Sequence, residues 1–520
     1  MIIIFINKYN YQMNEYKKLE YMSGILLLEK NKTYGCFKRK KLYKCIPNNK
    51  ELPEFYIPYK LILKYNKRLY NKYIIFRYKS EDKVKIYGEI IENMGNVNDI
   101  NNFYRYELYC NNMINYLSKK KLNKLYHIVN NIDLDIEYIM KKYNLNDKRS
   151  VKNIYTVDPR NSKDLDDAFS VNVSDNIMNL SIYISNVSII LDYYNLWEKL
   201  TDRISTIYFP GYKLVMLPTI LSDNICSLLE NRERAVFSIN IKIDITTQEI
   251  INYNFSNDII IVSKNYSYKQ IDNDPPLNYN ILYELVKKMN KDTQYLEHIE
   301  DSHGVIAYLM IMMNYHSSKK CIELKNGIYR CVNMDKTYVP PYYLDDDIKF
   351  FLKSWNIISS SITNFENRYS HDMLNVESYI QITSPIRRLT DLLNMICIQN
   401  SMNINFNKYS KIFYDRWLNK IEYIHKKMKT IKNVQNNSFL IHKFTFHRDC
   451  KTKRHVGFIF EKEVKDHNIF EYRVYLKEYK IVKSFIIDKE IEVMKYYDFR
   501  IYIFPDEDNL KNKIKLKILL

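Results

Sequence analysis

Four aspartates fall within ten residues, Asp158, Asp164, Asp166 and Asp167, and the runs on either side read as buried strands. Ile154-Tyr-Thr-Val leads into Asp158, and Pro159 cannot donate to a ladder, so pairing stops there and a loop begins. Ala168-Phe-Ser-Val-Asn-Val resumes extended chain, with Phe169, Val171 and Val173 on one face. Holding like charges between two buried strands is costly. Two carboxylates about 4 Å apart repel by about 4 kcal/mol at an effective dielectric near ~20. A divalent cation removes that penalty, and oxygen-only ligands favour Mg²⁺, with Mn²⁺ as a substitute.

The cluster alone leaves other readings open. An Asp-rich surface turn is one. A calcium loop is another, although the EF-hand spacing and its glycine are absent. An Asp-x-Asp-Asp general acid, as in terpene cyclases, is a third, with nothing else in the chain to indicate an isoprenoid pocket.

A chain of 520 residues exceeds the roughly 250–300 at which single cores stop growing, so three or four domains are expected. The net charge of +19 permits a polyanionic partner such as nucleic acid. The excess of Lys, Asn, Ile and Tyr, with 49 Tyr against 8 Gly, also reads as an AT-rich coding bias, so charge by itself does not select nucleic acid. None of the 8 cysteines forms a Cys-x-x-Cys pair, which suits a reduced intracellular protein without a zinc site. No Gly-rich phosphate loop is present, which argues against an NTPase. The opening MIIIFINKYN lacks a basic start and is not a signal peptide. The longest apolar run, Gly304 to Met313, is too short to span a bilayer. An intracellular protein without a membrane segment is therefore expected.

Along the chain, residues 1–21 are expected to be disordered, and 22–113 show short strand-like runs bounded by turns, as in a small barrel. Residues 114–150 read as a helical linker. Strands alternate with loops from 151 to about 260, and helical patterns dominate about 277–325 and 345–435. The stretch Lys420 to Arg454 is strongly basic, either a phosphate-facing surface or a solvated helix face. After His455 alternation returns, and about five strands fit a second small barrel of the OB type over 436–520.

Two further segments carry chemistry. In Gln381-Ile-Thr-Ser384-Pro385-Ile-Arg387-Arg388-Leu-Thr-Asp391, Ser384 is placed to cap a helix and Pro385 to occupy its first position. Arg387 then falls in the first turn, where dipole and guanidinium together attract a phosphate. Arg388 and Asp391, three apart, are spaced to pair. In Tyr208-Phe-Pro210-Gly211-Tyr-Lys-Leu-Val-Met216-Leu-Pro218, an aromatic beside a Pro-Gly turn is placed to offer its ring to a base.

Taken in order, these three segments resemble the catalytic domain of the RNase II / RNase R family over about residues 150–400, with Asn314 and Gly327-Ile-Tyr329-Arg330 falling between the second and third. Ile57-Pro-Tyr, Gly88-Glu-Ile-Ile and Gly95-Asn-Val-Asn-Asp99 resemble the family's N-terminal barrel, particularly in viral members. The resemblance implies an α+β multidomain fold. A central mixed α/β RNB-type catalytic domain (151–435) is flanked by a cold-shock/OB-like RNA-binding barrel (22–113) and a C-terminal OB-type one (436–520).

The resemblance also implies a 3′-to-5′ hydrolytic exoribonuclease that releases 5′-nucleoside monophosphates from single-stranded RNA with two Mg²⁺ ions. Asp158, Asp164, Asp166 and Asp167 match the metal-holding aspartates, with Asp166 and Asp167 catalytic. Arg387 matches the arginine at the scissile phosphate, Tyr208 the aromatic on the 3′-terminal base, and Arg388 is expected to assist RNA binding. A monomer in the cytoplasm, the host's if the chain is viral, is expected. The alternatives are an RNA-binding protein of this fold that has lost catalysis, and a phosphodiesterase acting on DNA or a small ester. One departure is plain: where many bacterial members carry acidic residues, this chain has Ala307 and Tyr308, leaving His303 as the candidate replacement. The family's second stacking aromatic has no counterpart by sequence.

Overall fold

The computed structural model describes residues 15–61, 68–82, 84–113, 119–131, 134–200, 202–446, 453–466, 469–504, 507 and 513–519. The chain divides into two compact units. One comprises Met1–Ile114, Tyr208–Tyr212 and Lys432–Leu520, the other Asn115–Ile207 and Lys213–Ile431.

In the first unit the N-terminal strands are β1 (Met22–Leu26), β2 (Cys36–Phe37), β3 (Lys40–Pro47), β4 (Phe55–Tyr59), β5 (Lys72–Glu81) and β6 (Ile86–Asn96). They pair in the order β1-β5-β6-β4-β3-β2, and β1 also pairs with β3, so five of them close into a barrel. Leu26, Tyr43, Phe55, Ile57, Ile74 and Phe76 fill it. Gly24 is required where the strands approach: a Cβ there would lie 2.9 Å from Cys45 Sγ and from the Phe76 ring. Of the N-terminal tail, residues 1–14 lie outside the described residues. Glu15–Lys18 form a short 3-10 helix with Lys17 paired to Glu81, so order begins before the expected boundary.

The central unit opens with helices Lys119–Asn131 and Ile136–Tyr143, so the expected linker belongs to it. Its sheet contains β7 (Asn146–Asp147), β8 (Ile154–Asp158), β9 (Asp167–Ser174) and β10 (Ile177–Ser185). A short hairpin follows, of β11 (Ile207–Phe209) and β12 (Tyr212–Leu214), and then β13 (Glu233–Asp244), β14 (Ile250–Ile261) and β15 (Lys264–Ser267). The seven-stranded order is β15-β8-β9-β10-β13-β14-β7, parallel at its two edge pairings and antiparallel between. Helix Leu389–Ser401 is buried from Leu389 through Gln399. Its buried polar groups are satisfied: Asn394 bonds the backbone of Ile328 and Gln381, and Gln399 bonds Asn186 and Asn257.

Within the region expected to be helical lies β17 (Ile357–Asn364), paired with β16 (Ile328–Met334). Its Ile-Ile-Ser-Ser-Ser-Ile-Thr sequence lacks strong helix formers and carries β-branched residues that suit a strand. The basic stretch beginning at Lys420 runs as helix Ile421–Phe446, and residues 447–452, Cys450 among them, lie outside the described residues. Five antiparallel strands end the chain: β18 (His455–Asp466), β19 (Ile469–Leu476), β20 (Ile481–Ile487), β21 (Lys495–Ile503) and β22 (Ile514–Leu519), in the order β20-β19-β18-β21-β22. The fold is thus α+β and multidomain, with two small β domains in one unit and a mixed α/β sheet in the other.

Candidate active site

Asp158 ends β8 and Asp167 begins β9, so these two antiparallel neighbours deliver both ends of the acidic loop to the same end of the paired strands. Leu165 pins the loop between them, buried among Ile154, Ala168, Tyr183, Leu228 and Val236. Its backbone N–H donates to Ser227 Oγ at 3.1 Å, and its carbonyl accepts from Leu228 N–H at 3.0 Å. The hydroxyl of Ser227 donates in turn to the Lys163 carbonyl at 2.7 Å, and Ser185 N–H donates to the Asp166 carbonyl at 2.8 Å. A loop bound this way cannot relieve its charge by swinging into water.

Each carboxylate meets a different environment. Asp166 is 1% exposed. Its Oδ1 accepts from Ile386 N–H and its Oδ2 from Arg387 Nε, both at 2.9 Å. Burial nonetheless outweighs Arg387 and pushes its pKa up to about 7. Asp158 and Asp167 are also raised above the ordinary carboxylate range. Burial is the main cause in both, reinforced for Asp158 by the charges of Asp167 and Asp166, and opposed for Asp167 by Arg387 and Arg388. Asp158 Oδ2 is buried without a hydrogen-bond partner. Asp164 instead meets Lys213, whose Nζ lies 2.7 Å from Asp164 Oδ1 and 3.2 Å from Asp223 Oδ1. Burial works against that ammonium, but its acidic partners outweigh burial and hold its pKa above the usual lysine value.

The segment around Arg387 corrects one expectation. Ser384 to Arg387 form a tight turn, with Arg387 N–H and Arg388 N–H both donating to the Ser384 carbonyl, and the helix starts only at Leu389. Arg388 is extended (φ −135°, ψ 126°) and bridges to Ser205. Pairing with Ser205 straightens the chain just where Ser-Pro would otherwise start a helix. Arg387 is therefore aimed by a turn and by Asp166, with 42% of its side chain exposed. Arg388 donates to Asp391 Oδ1 at 2.7 Å and to Ser384 Oγ at 3.1 Å. The predicted pair exists, but Asp391 is fully buried, so Arg388 braces the turn from inside and is not a free surface cation.

Asn314 holds the approach to this turn, donating to Tyr379 Oη at 2.9 Å and accepting from Ile382 N–H at 2.8 Å. Tyr208 belongs to the first unit. Its backbone N–H donates to Gln435 Oε1 at 3.0 Å, and it is 39% exposed.

Lys213 and Tyr268 were not singled out by sequence reasoning. Ser267 pairs in parallel register with Asp158, so Tyr268, the next residue, arrives beside the carboxylates. Its phenol is pushed up to about 12 by burial and then by Asp167 and Asp158. His303, the candidate replacement, stacks on Tyr268 with ring centroids 3.4 Å apart and 14° between planes. No local pattern announces a parallel pairing between segments so far apart in the chain.

Among the described residues, no three His, Cys, Asp or Glu side chains converge into a ready-made metal cage. The donor set still fits a divalent cation. It offers oxygen ligands only, one carboxylate oxygen is buried without a partner, and Asp158, Asp166 and Asp167 are held above their ordinary pKa chiefly by burial.

Residues 144–274 match the family model described as RNB domain. That segment is thus an RNB domain, and the chain is similar to proteins of the RNase II / RNase R family. Ribonuclease R of Chlamydia pneumoniae is 23% identical to it over 382 residues, which cover 59% of this chain and 56% of that protein. The chain thus spans about half the length of this relative. Among solved structures, Mycoplasma genitalium RNase R in complex with ribose-methylated single-stranded RNA superposes with a TM-score of 0.70 at 18% identity, covering 96% of this chain and 89% of that one. Yeast Ssd1, a pseudonuclease, superposes at 0.65 with 16% identity, covering 90% of this chain and 65% of that one. At these identities both show the shared fold. The RNB match begins just before β7 and ends just past the helix Tyr268–Asn273, so it contains all four aspartates, Lys213 and Tyr268.

Proposed function

We propose that this RNB protein is a hydrolytic exoribonuclease that degrades single-stranded RNA from the 3′ end to 5′-nucleoside monophosphates. One observation carries the reading: Asp158, Asp166 and Asp167 gather beside a half-exposed arginine, and burial holds all three above the ordinary carboxylate pKa. Mg²⁺, or Mn²⁺ in its place, would be held by Asp158, Asp164, Asp166 and Asp167. In a two-ion arrangement it would activate water and stabilise the departing 3′ oxygen.

The chain's own residues supply the rest. Arg387 leaves Asp166 for a non-bridging oxygen of the scissile phosphate, where its charge offsets that developing in the transition state. The water oxygen bonds to phosphorus, the bond from phosphorus to the 3′ oxygen breaks, and that oxygen takes a proton. Tyr208 stacks on the terminal base, contributing about 1–3 kcal/mol without sequence preference. The protein acts as a cytoplasmic monomer.

The second reading, an RNA-binding protein without catalysis, draws support from the likeness to a pseudonuclease. Incubating poly(A) and the matching 2′-deoxy oligomer with Mg²⁺ or EDTA separates the possibilities. Mononucleotide from RNA alone, and only with Mg²⁺, supports the proposal. Bound but intact RNA supports the second reading, and equal cleavage of both polymers indicates a less selective phosphodiesterase.

A further inference from the structure

We propose that Lys213 is a built-in cation of the carboxylate site, which occupies Asp164 and so divides divalent-ion binding into a strong step and a weak one. The inference rests on the metal-dependent reading above and concerns how that site fills.

Three observations carry it. First, Lys213 sits on the short strand β12, not in the acidic loop, and its ammonium lies between Asp164 at 2.7 Å and Asp223 at 3.2 Å. Second, Asp223 is itself fixed, accepting from Ser222 Oγ at 2.6 Å, so the lysine has an anchor behind the acidic loop as well as a partner within it. Third, the site is uneven. Asp164 has a cation at bonding distance, whereas Asp158 Oδ2 is buried with no hydrogen-bond partner.

A first divalent ion therefore meets Asp158 and Asp167 without displacing anything. An ion that uses Asp164 must first break a charge-assisted bond, and such bonds are the stronger kind. Lys213 also keeps Asp164 ordered and its charge compensated before any ion arrives.

Calorimetric titration of the full chain with Mn²⁺, paired with thermal melting in EDTA, tests this. The wild-type chain is expected to titrate in two steps with a weak second one. Lys213→Met is expected to tighten the weak step by about tenfold, equivalent to about 1.4 kcal/mol. It should also melt lower than wild type in EDTA, because Asp164 and Asp223 then face each other uncompensated. Lys213→Gln should titrate like the Met variant, which covers the case in which Met does not fold. Lys213→Arg should restore the wild-type curve.

Unchanged titration in both uncharged variants would overturn the inference and leave the exoribonuclease reading standing. Absence of Mn²⁺ binding in every chain would overturn both.

Discussion

Arg387 Nε lies 2.9 Å from Asp166 Oδ2, while Asp166 Oδ1 accepts from the neighbouring Ile386 N–H. One carboxylate thus reads both the backbone and the side chain of the turn that presents the arginine. The acidic loop and the 384–388 turn, far apart in sequence, are set against each other by that double contact. Asp166→Asn keeps the side chain's size and removes its charge. It is expected to lower RNA cleavage by at least about 10²–10³-fold, the scale on which removing one stabilising group at a developing charge is felt. RNA binding by filter retention should be nearly unchanged, because the substitution leaves every Lys and Arg of the chain in place.

Arg387→Ala is expected to lower kcat by about 10²–10³-fold with a smaller effect on KM, since in the proposed reaction the arginine acts on charge that develops in the transition state. Lys at this position should restore only part of the rate, because an ammonium cannot reproduce the guanidinium fork. Single-turnover rates with saturating RNA measure this directly.

Stability of the metal-free protein should fall as pH rises. Asp166 titrates at about 7 in the folded chain, against about 3.9 for a free aspartate. Between those values the unfolded chain has lost a proton that the folded chain keeps, so its stabilising effect is complete below pH ~4 and lost as pH passes ~7. Asp158 and Asp167 shift in the same direction. Thermal melts in EDTA should therefore fall from pH 5 to pH 8, and saturating Mg²⁺ should flatten or reverse the slope by favouring the ionised carboxylates.

Asn314→Ala removes two buried hydrogen bonds, to Tyr379 Oη and from Ile382 N–H. A cost of about 1–3 kcal/mol is expected, because the partners are left unsatisfied. Chemical denaturation measures it. Activity should fall further than stability alone explains, since Ile382 leads directly into the turn that aims Arg387.

The acidic loop was readable because its parts are local. A strand, a proline stop and a second strand lie within one short window, and the pattern of apolar residues announces both strands. The two flanking β domains were likewise visible as alternating runs. The Ser384-Pro385 helix start was misread because capping propensity is a local preference, and here the Arg388–Ser205 bridge overrides it. The Arg388–Asp391 pair was legible from its spacing, but nothing nearby in sequence shows that Asp391 is fully buried. Lys213 and Tyr268 escaped notice because each reaches the carboxylates through a tertiary contact, the β12 hairpin for one and the parallel β8–β15 pairing for the other.

The most direct test of the central claim follows a short single-stranded RNA labelled at its 3′ end, with Mg²⁺, beside the Asp166→Asn chain. The account predicts that labelled 5′-mononucleotide is the first product from the wild-type protein, with no labelled fragment of intermediate length and no product from the variant. Labelled fragments of intermediate length, or equal cleavage by the variant, would contradict it.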